Sequence, residues 1–278
     1  MQLLVLLLMI FVASNFGNPA LLALPPRDDM SGNILFSNDD YVIQVTTTGL
    51  DNKSHGWGFK REKNAAPNIP ESIQNQFTRY DAYYLGDTSQ KVLYLTFDEG
   101  YENGYTSQIL DVLRDNNVPA AFFITGPYLE EQRELIQRMI NEGHIVANHT
   151  INHPSMPKVT DDGKLSREIT ELADRFQDEY GVEMPKYFRP PMGEYSERTL
   201  SLIQQLGYKT IFWSSAYVDW NVDKQKGVDN AFSMVTSQFH PGSIILLHAV
   251  SKDNTNALDS IVKEARNQGY EFKSLEEI

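Results

Sequence analysis

The 278-residue chain contains no cysteine. That excludes disulfides, thiolate zinc sites and cysteine nucleophiles, so any metal has to be held by His, Asp or Glu. Basic residues are also scarce: 24 Lys and Arg against 37 Asp and Glu give a net charge of −13 and a pI near 4.9. A chain with that balance is a poor partner for nucleic acid, anionic membrane or a polyanionic substrate, and a neutral glycan is unopposed. There is no dinucleotide-type glycine fingerprint, no internal repeat and no low-complexity tract. What remains, 41% hydrophobic and 22% charged residues, is ordinary for a globular protein, and the length allows one large core.

No apolar run is long enough for a membrane span. Residues 3–13, LLVLLLMIFVA, give eleven apolar positions, which suits a signal-peptide core. No basic residue precedes them, and Ala13, Ser14 and Gly17 follow without a clean cleavage triplet. We expect residues 1–24 to be an export signal, cleaved or kept as an anchor. Export without cysteine fits a protein of the bacterial cell envelope.

Residues 25–90 form an N-terminal extension whose pattern is weak. Pro25, Pro26 and the stretches LDNKSHGWG and AAPNIP read as turns and loops. YVIQVTTT (41–48) alternates like a strand, and IPESIQNQFTRYDAYYLG has the composition of a helix leading into a core domain over 91–278. From Lys91 the pattern is regular. Strand-like runs lie at 92–97, 119–125, 144–148, 187–189, 209–213, 243–247 and 270–273. Helical periods lie between them at 106–116, 128–142, 164–180, 196–206, 228–239 and 254–268. Start signals stand at Thr106 or Ser107 and at Ser196, and glycines 143, 181, 207 and 269 mark ends. This alternation predicts repeated βα units and a parallel sheet, closed or nearly closed into a barrel.

The polar clusters share one position in that scheme. Asp98 and Glu99 follow the first regular strand, His149 and His153 the third, Arg189 the fourth, Asp219 and Trp220 the fifth, and His248 the sixth. In a βα barrel all of these lie at the carboxyl ends of strands, the face that carries catalysis. Two adjacent acids at a strand's exit are costly unless a metal or a reacting proton uses them; the alternative is a solvated turn. His149-Thr-Ile-Asn-His153 places two imidazoles four residues apart, close enough on a helix or tight turn to reach one divalent ion, with Asn148 and Thr150 as supports. His248 ends an apolar strand, where a satisfied core histidine is one reading; beside Asp219 it becomes a competent proton donor. Arg189, held extended by Pro190-Pro191, either pairs with Asp98 and lowers its pKa or forms a surface ion pair.

TFDEG (96–100), HTINH (149–153), RPPMG (189–193), VDW (218–220) and LLH (246–248) resemble the five ordered motifs of the polysaccharide deacetylases, carbohydrate esterase family four. WGFKREKN (57–64), YDAYYLGDT (80–88), YLTFDEGYENGYT (94–106) and HAVSKDNTNALDSIV (248–262) are similar to the delta-lactam-biosynthetic de-N-acetylases of spore-forming bacteria. The resemblance implies an α/β fold, a distorted (β/α)7–8 barrel. It implies Asp98 as general base, His149 and His153 as ligands of a divalent metal, zinc in the first instance, and Glu99 in the place of a third ligand. Arg189 would position Asp98, and Asp219 would position His248, the acid that protonates the leaving amine. The Met192 amide would hold the oxyanion, and Trp220 would wall the acetyl methyl or the sugar.

Two positions depart from the pattern: Glu99 stands where an aspartate ligand is usual, and Ala216 where an outer aspartate is usual. The implied reaction is removal of the acetyl group from N-acetylmuramic acid in peptidoglycan glycan strands, on the way to the muramic δ-lactam of the spore cortex. The implied location is the envelope, secreted or anchored and associated with the forespore, with no obligate protein partner and no nucleic acid. The alternatives are an N-acetylglucosamine deacetylase and, in another class, a glycan-binding barrel without catalysis.

Overall fold

Short strands and helices alternate along the computed structural model, which describes residues 45–278. The apolar run 3–13 lies outside the described residues, as does the first half of the strand expected over 41–48; residues 45–48 take no strand conformation. In chain order the elements are β1 (His55–Gly56), α1 (Glu71–Arg79), β2 (Ala82–Tyr83), β3 (Val92–Glu99), α2 (Thr106–Asn116) and β4 (Ala120–Ile124). Next come α3 (Gly126–Glu131), α4 (Arg133–Asn141), β5 (Ile145–Asn148), α5 (Asp162–Tyr180), β6 (Tyr187–Phe188) and β7 (Glu194–Tyr195). The last are α6 (Glu197–Gln205), β8 (Lys209–Ile211), α7 (Val228–Thr236), β9 (Ser243–His248), α8 (Lys252–Asn267) and β10 (Glu271–Phe272).

Eight strands form one parallel sheet in the order β10-β3-β4-β5-β6-β8-β2, with β9 also paired to β3. Single bridges, Ser215 to Ile245 and Leu85 to Ser243, stand where a continuous ladder would close the ring. The result is the expected distorted (β/α) barrel. Helices cover its outer face because a parallel sheet leaves both faces to be buried. All eight residues of β3 are accordingly buried, and they divide by the strand's period of two. Leu93, Leu95 and Phe97 pack outward with Ile109, Leu113 and Ile261 of α2 and α8, while Val92 and Tyr94 pack inward with Phe123, Ile211 and Ile244.

The helix boundaries follow local chemistry. Ser196 caps α6 through a capping box with Thr199, and Asp161 caps α5 by accepting from the Lys164 amide. At α2 the capping oxygen comes from Glu102, which accepts from the amides of Tyr105 (2.7 Å) and Thr106 (3.3 Å); neither Thr106 nor Ser107 is the cap. The single helix expected over 128–142 is two, broken at Gln132 (φ −117°, ψ 41°).

Residues 45–90 belong to the same compact unit as the rest of the described chain. β2 extends the sheet beside β8, and β1 pairs antiparallel with β7. Trp57 centres an aromatic cluster with Phe77, Tyr84 and Phe212 at ring distances of 5.2–5.3 Å, and its indole N–H donates to the Trp213 carbonyl at 2.9 Å. The chain turns tightly past it at Gly193 (φ +66°), where a Cβ would meet the Trp213 ring at 2.9 Å. Truncating a buried tryptophan costs about 3–5 kcal/mol. We therefore expect Trp57→Ala to lower unfolding stability by about that amount in a urea titration; a loss under about 1 kcal/mol would show that this segment lies outside the cooperative core.

Candidate active site

The register of the sheet assembles the site. Asp98 and His248 are direct partners across β3 and β9, and Asn148 and Phe188 are partners across β5 and β6. His149 and Arg189, each one residue further on, therefore leave the barrel side by side. Period two places Asp98 on the inner face with Val92 and Tyr94, so its carboxylate points into the mouth of the barrel.

Arg189 is completely buried, and each of its three guanidinium nitrogens donates a hydrogen bond. Nη1 donates to Asp98 Oδ1 (2.8 Å), Nη2 to Thr96 Oγ1 (2.8 Å) and Nε to the Ile211 carbonyl (3.0 Å). The guanidinium lies 4.1 Å above the Phe123 ring. It is not a surface ion pair. Burial alone would raise the Asp98 pKa, but Arg189, with His149 and His248, overrides it and holds the carboxyl below the usual carboxylate range.

His149 and His153 lie on a tight turn rather than a helix, their ring centroids 4.9 Å apart. His149 Nδ1 lies 2.8 Å from the Arg189 carbonyl, which assigns the proton to Nδ1 and leaves the lone pair on Nε2. Burial pushes the His149 pKa down to about 4, against the pull of Asp98, so the imidazole is neutral. Its Nε2 faces Asp98 Oδ2 at 3.6 Å. Two acceptors so disposed need a proton donor or a cation between them. This donor set, two neutral imidazoles beside a carboxylate, fits a divalent ion, although among the described residues no three His, Asp or Glu side chains form a ready-made ligand cluster.

On the other side of the cleft, Asp219 Oδ1 lies 2.7 Å from His248 Nδ1, and its Oδ2 accepts the His248 amide at 2.8 Å. Burial disfavours the charged imidazole, yet Asp219, with a further contribution from Asp98, raises the His248 pKa above its ordinary value. His248 is thus neither a plain core residue nor free. Asn254 donates to Asp219 Oδ2 (2.5 Å) and accepts from the Tyr217 hydroxyl. These two side chains surround Asp219 where Ala216 supplies no carboxylate. The similarity of HAVSKDNTNALDSIV carried that signal for Asn254.

Glu99 is not where a third ligand belongs. One residue past Asp98 on an extended strand, it points outward beneath α2 and α3, wholly buried. Thr106 Oγ1 reaches its Oε1 at 3.4 Å, and its Oε2 has no partner among the described residues. Burial first, and then Glu102 and Asp98, raise its pKa well above the ordinary value, so the group is a neutral acid.

The cleft has a volume of about 760 Å3 and joins Asp98, His149, His153 and His248. Met192 and Trp220 line it as expected, each 55% exposed. Tyr101, Trp213 and Tyr217 complete an aromatic rim that sequence reasoning missed. Tyr101 lies inside YLTFDEGYENGYT, but Trp213 and Tyr217 stand outside every motif, and isolated aromatics carry no periodic signal.

Residues 85–211 match the polysaccharide deacetylase family. The chain is 43% identical to the peptidoglycan-N-acetylmuramic acid deacetylase PdaA of Bacillus subtilis, over 82% of this chain and 87% of that one. It is 48% identical to an uncharacterized 30.6 kDa protein of Geobacillus stearothermophilus, over 85% and 89%. The structure of B. subtilis PdaA, a family 4 carbohydrate esterase, matches with a TM-score of 0.80 at 42% identity, covering 82% of this chain and 97% of that one. The chain belongs to the polysaccharide deacetylase family, carbohydrate esterase family 4, and is a hydrolytic deacetylase of that family.

Proposed function

We propose that this protein removes the N-acetyl group of N-acetylmuramic acid in peptidoglycan, toward the muramic δ-lactam of the spore cortex. The observation that carries the chemistry is a pair of oppositely tuned groups on one cleft. Arg189 favours the ionised form of Asp98, and Asp219 favours the protonated form of His248. The similarity to PdaA supports the muramic substrate, and the apolar run 3–13 supports export to the envelope, secreted or anchored and associated with the forespore.

In this reading Asp98, with Oδ1 held by Arg189, takes the proton of the attacking water through Oδ2. His248, with Nδ1 engaged by Asp219, gives the Nε2 proton to the departing amine nitrogen as the C–N bond breaks and acetate forms. The Met192 amide is the donor for the developing oxyanion. Trp220 and Tyr101 offer apolar faces to the acetyl methyl and the sugar ring. A divalent ion held by His149 and His153, zinc by preference, would supply Lewis-acid polarisation of the carbonyl and a lowered water pKa.

Purified protein should release acetate from muramoyl glycan; release confined to chitooligosaccharides would assign the substrate to N-acetylglucosamine instead. Asp98→Asn keeps an acceptor oxygen for Arg189 and should lose about 10²–10⁴-fold in kcat with its folding checked by circular dichroism, and an unchanged rate would remove Asp98 as the base.

Because His248 acts protonated and its pKa is raised, the rate should persist above the ordinary histidine range and fall as pH passes the raised value. Asp219→Asn removes the raising charge and should move that falling limb to lower pH, with about 10²-fold lower kcat. A limb that stays in place would exclude His248 as the acid.

Glu99→Gln mimics the neutral acid and should keep kcat and bound metal, read by elemental analysis. A carboxyl with a raised folded pKa stabilises the fold below its ordinary value and loses that stability as pH rises. The variant should therefore gain in melting temperature on the wild type toward alkaline pH. Loss of metal in this variant would restore Glu99 as a ligand.

A further inference from the structure

Beside the catalytic cleft lies a second depression of about 210 Å3, lined by Arg61, Lys224, Lys226, Met234 and Asp253 and sharing Tyr217 with the cleft. It concentrates three cationic side chains at one place on a chain of net charge −13. None of the three has an ion-pair partner within 4.0 Å among the described residues. The single acid on the lining, Asp253, is engaged: its Oδ2 accepts the Gly227 amide at 2.6 Å.

The two lysines are tied to the backbone of Asp219 through the residue between them. Gln225 is extended (φ −64°, ψ 140°) at the end of a short 3-10 turn, and it lines the depression between Lys224 and Lys226. Gln225 Nε2 donates to the Asp219 carbonyl (2.8 Å) and the Asn221 carbonyl (3.0 Å), while its Oε1 accepts from Ser251 Oγ (2.7 Å). Trp220 of the cleft wall, Asp219 and the lysines thus lie on one loop anchored at both ends. Arg61 comes from the opposite side, on a turn docked to α7 by the Asn64 amide, which donates to the Ser237 carbonyl at 3.1 Å.

Exposed cations beside a neutral aromatic rim select an anion on a molecule whose body occupies the rim. We infer that this groove binds a carboxylate of the glycan substrate and sets the preference for acidic over neutral chains, with Arg61, Lys224 and Lys226 as specificity-determining residues. The inference rests on the proposed muramic reading. The carboxylate has two sources in such a glycan, the lactyl ether of the muramic residue or a peptide stem attached to it.

The test is equilibrium binding to full-length protein carrying Asp98→Asn, so that ligands persist. The probes are a muramoyl oligosaccharide with a free lactyl acid, the same chain with that acid amidated, the chain with a stem peptide, and chitotetraose. The carboxylate forms should bind about tenfold more tightly than the amide, corresponding to 1.4 kcal/mol. Lys224→Ala/Lys226→Ala should abolish that preference and leave chitotetraose binding unchanged; Lys224→Glu should reverse it. A preference for the free lactyl chain names the lactyl group as the source, and a preference confined to the stem-bearing chain names the stem. Equal binding of amide and acids, or equal weakening of every probe by the lysine variant, overturns the inference. The muramic reading fails separately, through absence of acetate release from muramoyl glycan by the unsubstituted protein.

Discussion

The buried guanidinium of Arg189 is the constraint on which the barrel mouth depends. A fully buried charge is tolerable only if its donors are spent on well-placed acceptors. Here those acceptors come from several strands: Asp98 and Thr96 on β3, and the Ile211 and Phe212 carbonyls at the end of β8. Thr96 in turn donates to the Ile245 carbonyl of β9 at 2.7 Å. One side chain thereby joins β3, β6, β8 and, through Thr96, β9 on the face where the reaction is placed. The same Arg189 fixes His149 through its own carbonyl. The Asp98 carboxylate, the His149 imidazole and the barrel closure share a single anchor, so the polarity of the site follows from the packing of the barrel.

That arrangement explains what sequence could and could not show. The seven regular strands and the helices between them were legible because a parallel sheet buried on both faces writes continuous apolar runs, interrupted by helices with capping residues and terminal glycines. Asp98, His149, Arg189, Asp219 and His248 were legible because strand exits in such a barrel share one face. Glu99 was misread although the signal was present. Adjacent residues of an extended strand face opposite ways, and β3 stays extended through Glu99. Family position put Glu99 at the metal; the period-two pattern of Val92, Tyr94, Thr96 and Asp98 puts it beneath the helices.

The N-terminal segment was illegible for another reason. Its contribution is made by long-range contacts, Trp57 with Phe212 and Tyr80 with Glu197, which no local period encodes. β1 and β2 are two residues each, too short for alternation to register. Yet the segment bears on the site. Trp57 holds the Trp213 carbonyl, its own amide donates to the Gly193 carbonyl at 2.8 Å, and Trp213 and Gly193 both line the cleft. Residues that read as turns and loops form a wall behind the cleft.

Backbone strain supplies the last link between fold and chemistry. Thr150, His153 and Met192 all adopt positive φ (70°, 55° and 59°), and all three lie in the motifs of the site. A left-handed conformation costs about 1–3 kcal/mol for such residues, most for a β-branched one. The His149–His153 turn offsets that cost by leaving none of its amides idle. His149 donates to the Ile124 carbonyl, Thr150 to Asn148 Oδ1, Ile151 and Asn152 to Glu168, and His153 to Thr150 Oγ1. Glycine at 150 would relieve the strain but remove the hydroxyl that holds His153. The turn therefore keeps a strained threonine because its side chain is one of the bonds that aim the second imidazole at the first.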